Sequence, residues 1–111
     1  GLPLLAEENR EGTFPLPAAL AARGTTFLLR IKGDSMINAG ILDGDYVLVR
    51  QQPAVENGEI AVVLLGDEAT CKRLYRENGR LRLQPENPVY EPIIVPSAQV
   101  LGKVIGVFRL L

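Results

Sequence analysis

Serine and lysine are the side chains of this sequence that could together supply a nucleophile and its base. Serine occurs only at positions 35 and 97, lysine only at 32, 72 and 103, and histidine is absent. Without an imidazole, neither a Ser-His-Asp triad nor a Cys-His pair can form within the chain. A hydrolytic mechanism near neutral pH would need a carboxylate, a lysine of lowered pKa or a metal-bound water as its base.

Ser35 lies in the segment GDSM, where a strand-like pattern stops at Gly33. A short helix beginning here would leave backbone N–H groups free to bind a developing oxyanion. Gly33 would let a substrate backbone come close. A serine in such a position is more often a simple helix N-cap. The local sequence leaves both interpretations open.

Lys72 lies in EATCKRL, within a predicted strand. It shares one face with Thr70 and Leu74, and Cys71 lies on the other face. If the Leu74 face is the inner one, burial would lower the lysine pKa from about 10.4 and allow a neutral amine. A lysine whose ammonium reaches water is the commoner outcome. We expect Cys71 to be a small core residue and not a second nucleophile.

The elements that must position these residues are strands. Apolar and polar residues alternate with a period of two from Thr25 onward, and Glu59–Leu65 is a near-continuous apolar run. Gly66-Asp67 and Asn78-Gly79 are two-residue hairpin signals, which delimit strands at Glu68–Glu77 and Arg80–Gln84. A final strand is predicted at Val100–Leu110. The fold class is mostly β and antiparallel.

Two further segments complete this prediction. Residues 1–24 form an irregular, proline-punctuated arm with a helical stretch at Ala18–Ala22, and Gly33–Asp45 contains one helical turn. The fold thus holds one or two short helical turns, and residues 1–111 form a single domain. Asp43 and Asp45 could be read as paired carboxylates, but we expect them to shape the turn into the next strand.

Composition excludes several functions. The net charge is −1, with 12 Lys and Arg against 13 Asp and Glu, so the chain has no basic surface for nucleic acid. The single Cys, the absent histidine and the scattered carboxylates predict no metal and no other cofactor. No apolar run is long enough to span a membrane, and one Cys is typical of a reducing cytoplasm.

The order and spacing of these motifs resemble the LexA/UmuD family of self-cleaving Ser-Lys peptidases. GDSM is followed, 37 residues after Ser35, by Lys72 in an E-x-T-x-K-R-L context. The resemblance covers essentially the whole chain and is carried by six further segments: LLAEENREGTFPLP, TTFLLRIKGDSM, ILDGDYVLV, NGEIAVV, LQPENPVYEPI and VLGKVIGVFR. The fold implied is the compact β fold of that family and of signal peptidases.

The resemblance implies a role for each matching residue. Ser35 matches the nucleophile, Lys72 the general base, and the backbone N–H groups of Asp34 and Ser35 the oxyanion donors. The family cuts a peptide bond in its own chain, usually Ala-Gly, and Gly1 matches the glycine after that bond. The chain would then be the C-terminal cleavage product of an SOS-response transcriptional repressor.

The resemblance also implies partners. In the family, a RecA filament on single-stranded DNA stimulates cleavage, and operator DNA is bound by an N-terminal winged helix-turn-helix domain that this sequence lacks. The strand Val104–Leu110 pairs with a second copy to form a homodimer; a strand internal to one protomer is the alternative. Other interpretations are a UmuD-type polymerase subunit, a phage repressor, or a dimerisation module without catalysis.

Overall fold

A computed structural model describes residues 2–3, 13–14, 18–21 and 24–111. The predicted N-terminal arm, with Gly1, lies mostly outside these residues. Its described parts are two short strands that pair antiparallel, β1 (Leu2–Pro3) and β2 (Thr13–Phe14), and one helix, α1 (Ala18–Ala21). The helix confirms the helical stretch predicted at Ala18–Ala22.

Seven further strands form one sheet in which all neighbours are antiparallel. The strands are β3 (Thr26–Arg30), β4 (Tyr46–Gln51), β5 (Ile60–Leu65), β6 (Glu68–Glu77), β7 (Arg80–Gln84), β8 (Ile93–Val95) and β9 (Gln99–Phe108). Their order across the sheet is β3-β4-β9-β5-β6-β7-β8. The mostly β, antiparallel fold class is therefore confirmed. None of the helices in the described ranges is long and apolar enough to cross a membrane.

The two predicted hairpins are present, and β6 and β7 have the predicted bounds. Asn78 and Gly79 have φ angles of 52° and 72°, the two positive values that a type I′ turn requires. Strand β8 was not predicted, because three residues between prolines are too few to show an alternating pattern.

The last strand lies inside the sheet, between β4 and β5. It covers Gln99–Phe108, so Arg109 and Leu110 lie beyond the strand that was predicted to end at Leu110. Its first half pairs with β5 and its second half with β4, with a register shift in each pairing. A Cβ on Gly102 would lie 2.3 Å from the carbonyl oxygen of Arg50, so the close approach of β4 requires glycine here. Such irregularities bend and twist a sheet locally.

The core lies on both faces of the β5–β6 hairpin. Val62 and Cys71 pack with residues of β3, β4 and the loop that follows β3. Ala61, Val63 and Leu74 pack on the opposite face, against β7. The prediction that the apolar run before Gly66 is buried on both faces is confirmed, and β6 shares this double burial.

Candidate active site

Ser35 lies in a tight turn that follows β3, at one edge of the sheet. The turn starts at Gly33, whose φ of 84° is in the left-handed region that favours glycine. The Gly33 N–H donates to Oδ1 of Asp43 at 2.6 Å, which ties the turn to the loop before β4. Met36 is buried at 2% exposure beneath the turn, and Ser35 is half-buried.

The Ser35 side chain does not cap a helix. The only helical turn here is a 3₁₀ helix at Ile37–Ala39, whose N-cap is Met36 and which has no side-chain cap hydrogen bond. The N-cap interpretation of Ser35 is therefore wrong. The one helical turn predicted within Gly33–Asp45 is present, but it begins at Ile37 and not at Ser35. The Ser35 hydroxyl instead lies beside an amine.

Lys72 Nζ lies 3.1 Å from the Oγ of Ser35. The same nitrogen donates to Oγ1 of Thr70 at 2.7 Å and to the carbonyl oxygen of Cys71 at 3.2 Å. Lys72 is only 9% exposed, so the interpretation of a lysine on an ordinary half-exposed strand is wrong. Burial lowers the pKa of Lys72 from its ordinary value, because a charged amine loses hydration in this environment.

The surroundings of Lys72 favour a neutral amine over an ion pair. Among residues 24–111, no carboxylate lies within ion-pair distance of Nζ. A neutral amine has two N–H donors and one lone pair. The Cys71 carbonyl can only accept, and Thr70 can take the second donor. The lone pair is then left to face the hydroxyl hydrogen of Ser35, which is the geometry of a base beside a nucleophile.

Thr70 is a member of this site that the sequence reasoning missed. It was placed on the Lys72 face of β6, two residues before the lysine, but was given no role. Side chains two residues apart on one strand face the same way, which brings the Thr70 hydroxyl within reach of the lysine amine. The threonine two residues before the lysine in the E-x-T-x-K pattern was the feature of the sequence that indicated this contact.

Cys71 is the small core residue that was expected. It is 5% exposed and packs on the opposite face of β6 from Leu74. Burial raises the pKa of its thiol to about 12. A thiol held neutral at every physiological pH is a poor nucleophile, so the only sulfhydryl of the chain does not compete with Ser35.

A cleft of about 570 Å³ opens beside the Ser35–Lys72 pair. Its apolar lining includes Leu29, Ile31, Met36, Leu64 and Leu101, and its polar lining includes Arg30, Lys32, Asp67, Glu68 and Thr70. The cleft runs from the end of β3 to the β5–β6 turn. Within the described residues, neither the Asp34 nor the Ser35 backbone N–H is hydrogen-bonded to a protein acceptor. No group of three or more potential metal ligands occurs in the same part of the chain.

Asp43 and Asp45 shape the loop before β4, as expected. Asp43 accepts from Gly33, and Asp45 accepts the Leu42 N–H at 2.7 Å. Arg109 donates to both carboxylate oxygens of Asp45 at 2.8 Å. This ion pair holds the pKa of Asp45 below its usual range, although the carboxylate is only 1% exposed. The two acids therefore serve the backbone of the loop and do not form a catalytic pair.

A family model described as Peptidase S24-like matches residues 1–105. The seven-stranded antiparallel sheet is consistent with the fold of this family. With nearly the whole chain matched, the protein belongs to the S24-like peptidase family.

Curated relatives make the comparison more specific. The chain is 58% identical over 111 residues to a LexA repressor of Desulfitobacterium hafniense. It is 59% identical over 109 residues to the LexA repressor of Pelotomaculum thermopropionicum, and 58% identical over 110 residues to that of Halalkalibacterium halodurans. These alignments cover 98–100% of this chain but only 53–54% of each relative. The chain thus spans about half the length of the repressors it matches.

Proposed function

We propose that this chain is the self-cleaving C-terminal domain of a LexA-type repressor, with Ser35 as nucleophile and Lys72 as base. The observation that carries the proposal is the 3.1 Å separation of Lys72 Nζ from Ser35 Oγ, with the lysine buried and no carboxylate paired to it among residues 24–111. The relatives named above are repressors, which favours this interpretation over a polymerase subunit. Residues 1–111 would act as one domain.

The reaction proposed is peptide hydrolysis through an acyl-enzyme. Neutral Lys72 removes the Ser35 hydroxyl proton while Oγ attacks the scissile carbonyl carbon, which gives a tetrahedral oxyanion. When the C–N bond breaks, the Lys72 ammonium returns that proton to the leaving amine. A water molecule then attacks the ester, again losing its proton to Lys72, and a carboxylate and free Ser35 are regenerated. The bond cut would be the Ala-Gly bond before Gly1, a residue that lies outside the described ranges.

The backbone N–H groups of Asp34 and Ser35 would hold the oxyanion. Neither has a protein acceptor within the described residues, so a developing negative charge would be their first strong partner. Donors fixed by a folded turn stabilise such a charge without reorganising when it forms. This supports their assignment as the oxyanion donors.

Control of the reaction would come from outside this domain. A RecA filament on single-stranded DNA would favour the conformation in which the segment that contains the cleaved bond lies over Ser35 and Lys72. This effect is a shift in population and not a new chemical step. Operator DNA would be bound by a separate N-terminal domain, since a net charge of −1 does not favour binding of this chain to a polyanion. The protein would act in the cytoplasm.

We also propose that the second half of β9 mediates homodimerisation. Residues 104–107 pair with β4 on one side, and β5 begins only at Ile60, so no strand of the described chain lies along their other side. Val107 is 43% exposed and Leu110 is 72% exposed at this end of the strand. An apolar strand with one unpaired side favours pairing with a second copy.

Cleavage at alkaline pH tests the catalytic proposal, in a longer chain that includes the residues before Gly1. S35A and K72A should each abolish self-cleavage. S97A, which removes the only other serine, should cleave at the parental rate, because Ser97 is exposed in the loop before β9. The parental rate should rise about tenfold per pH unit until the Lys72 pKa is reached, since only the neutral amine accepts the proton.

Two results would contradict this proposal. Cleavage of S35A or K72A at rates near that of the parent would exclude the pair as catalytic groups. A rate independent of pH would exclude Lys72 as the base. Labelling of the 111-residue chain by a serine-directed fluorophosphonate supplies a further test. Labelling of Ser35 in the parent that is lost in K72A indicates an enzyme. Equal labelling of the parent and of K72A indicates a module without catalysis.

Sedimentation at micromolar concentration tests the dimer proposal. The parent chain should sediment as a dimer, and V107E should shift it toward monomer because the substitution places a charge on the strand. V89E is the matched control, since Val89 is 79% exposed but lies in the loop before β8. A parent that stays monomeric at this concentration would refute the proposed interface.

A further inference from the structure

The loop of residues 86–90 holds the turn that carries Ser35. Four hydrogen bonds join the two segments, and each is made by a different pair of groups. They are Glu86 N–H to the Ser35 carbonyl (2.7 Å), Asn38 N–H to the Glu86 carbonyl (2.9 Å), Asn87 Nδ2 to the Asp34 carbonyl (2.9 Å) and the Tyr90 hydroxyl to Asp34 Oδ1 (2.5 Å). The loop thus contacts the carbonyl of the peptide group that joins residues 34 and 35, the Asp34 side chain and the Ser35 carbonyl.

Asn87 is the buried member of this loop. It is 6% exposed, and both halves of its side-chain amide are hydrogen-bonded. Nδ2 donates to the Asp34 carbonyl at 2.9 Å, and Oδ1 accepts the Val89 N–H at 3.1 Å. The Asp34 carbonyl needs a donor and the Val89 N–H needs an acceptor. The amide therefore has one satisfied orientation, and its alternative would leave buried polar groups unpaired.

We infer that Asn87 is a positioning residue that aims the Ser35 N–H into the cleft. The peptide group between Asp34 and Ser35 is planar and trans, so its carbonyl and its N–H point in opposite directions. A hydrogen bond that fixes the carbonyl toward Asn87 therefore also fixes the direction of the N–H, away from the loop. This inference rests on the proposed function, because it gives the N–H an oxyanion to bind.

The same loop is tied to the strand that carries the base. Arg73, the residue after Lys72, donates through Nε to Oε1 of Glu86 at 2.5 Å, and its Nη1 donates to the Gly58 carbonyl. The Glu86 backbone in turn is hydrogen-bonded to Ser35 and Asn38. The loop thus links β6 to the Ser35 turn through the Arg73–Glu86 ion pair on one side and the backbone hydrogen bonds of Glu86 on the other. Within residues 24–111, the side-chain hydrogen bonds of Lys72 go to Ser35, Thr70 and Cys71 and not to Asn87.

The test is the pH profile of self-cleavage in the longer chain, with substitutions at two positions of the loop. N87D keeps the acceptor for Val89 but replaces the donor that faces the Asp34 carbonyl with an oxygen. Its plateau rate at high pH should fall about tenfold to a hundredfold, since complete loss of one oxyanion donor costs about a hundredfold to a thousandfold. In N87A, which removes the donor without adding a charge, the midpoint of the profile should stay where it is in the parent, because Asn87 makes no hydrogen bond to the base.

Y90F is the matched control. It removes a hydrogen bond from the same loop to the same residue, but one that ends on the Asp34 side chain and leaves the peptide group untouched. Its plateau rate should stay within about twofold of the parental rate. If N87D does not fold, N87A removes the donor without adding a buried charge, and its plateau should fall by a similar factor.

The possible outcomes test the role of Asn87 separately from the proposed function. A parental plateau in N87D or N87A, or a loss in N87A that comes wholly from a shifted midpoint, would overturn the role of Asn87. An equal loss in Y90F would also overturn it, because the loop would then act only as general support. S35A separates these results from the proposed function: if S35A still cleaves, Ser35 is not the nucleophile, and if only the N87D prediction fails, the nucleophile and base stand.

Discussion

Burial of Lys72 should make the stability of the folded chain depend on pH in a way that its replacement by methionine removes. The lysine is 9% exposed and burial lowers its pKa from an ordinary value of 10.5. At any pH below the folded-state pKa, both the folded and the unfolded chain hold the proton, and folding must bury an ammonium group. K72M removes this cost while filling a similar volume with an apolar side chain.

The size of the effect follows from proton linkage. Between the folded-state pKa of Lys72 and 10.5, the unfolded chain holds a proton that the folded chain has lost. The free energy of unfolding of the parent then rises with pH relative to that of K72M, by up to about 1.4 kcal/mol per pH unit. Below that window and above it, the difference between the two chains should be constant.

Urea unfolding of the 111-residue chain at a series of pH values from neutral to strongly alkaline measures this difference. Far-UV circular dichroism is the suitable signal, because the chain has no tryptophan. K32M, which removes one positive charge from an exposed position at the cleft, controls for the change in net charge. If the free energy of unfolding of the parent and that of K72M ran parallel across the whole pH range, the reasoning would be refuted, since Lys72 would then have the same pKa in the folded and the unfolded chain.

Three further outcomes are expected from the geometry around the site. G33A should destabilise the chain by about 1 kcal/mol in thermal melting, because an L-residue is strained at a φ of 84°; an unchanged melting temperature would contradict this. R109M should lower the urea midpoint of unfolding more than R82M does, because it leaves the carboxylate of Asp45, which is 1% exposed, without its partner. Equal midpoints for the two variants would count against a structural role for the Arg109–Asp45 pair. A disulfide-exchange reagent should modify Cys71 in urea but not in the folded chain, since the thiol is buried with a raised pKa, and rapid reaction of the folded chain would show that the site opens.

Local sequence patterns were sufficient for the hairpins of the sheet. The Asn-Gly turn needs two consecutive positive φ angles, which few other dipeptides adopt, and it delimited β6 and β7 without error. The run before Gly66 has no polar face, and it is buried on both sides. The hairpin turns and the burial of this run depend on residues that are close in the chain, so local sequence is enough to predict them.

The position of β9 and the curvature of the sheet depend on distant residues. Ser35 follows β3, the first strand in sheet order, and Lys72 lies on β6, the fifth, so only a curled sheet brings their side chains to 3.1 Å. The curvature accompanies two register shifts along β9, one against each neighbour. A glycine inside a strand is a known sign of a bulge, and Gly102 carried that signal. The sequence still did not reveal which strand would approach it.

Strand parity placed Lys72 correctly but could not have decided its role. Both faces of β6 are buried, since Leu74 and Cys71 on opposite faces are 4% and 5% exposed, so burial of one face does not distinguish Lys72. Register is more informative. A two-residue turn at Gly66-Asp67 places Leu65 opposite Glu68, and counting back along both strands places Ala61 opposite Lys72, as the structure has it. Alanine is the smallest side chain in the run Ile60–Leu65. The same alanine also lies opposite Lys103, whose side chain is 31% exposed, so a small opposite residue does not by itself bury a lysine. The turn was readable in the sequence, so the pairing of Lys72 with Ala61 follows from hairpin register, whereas the burial of Lys72 and its contact with Ser35 follow only from the curved sheet.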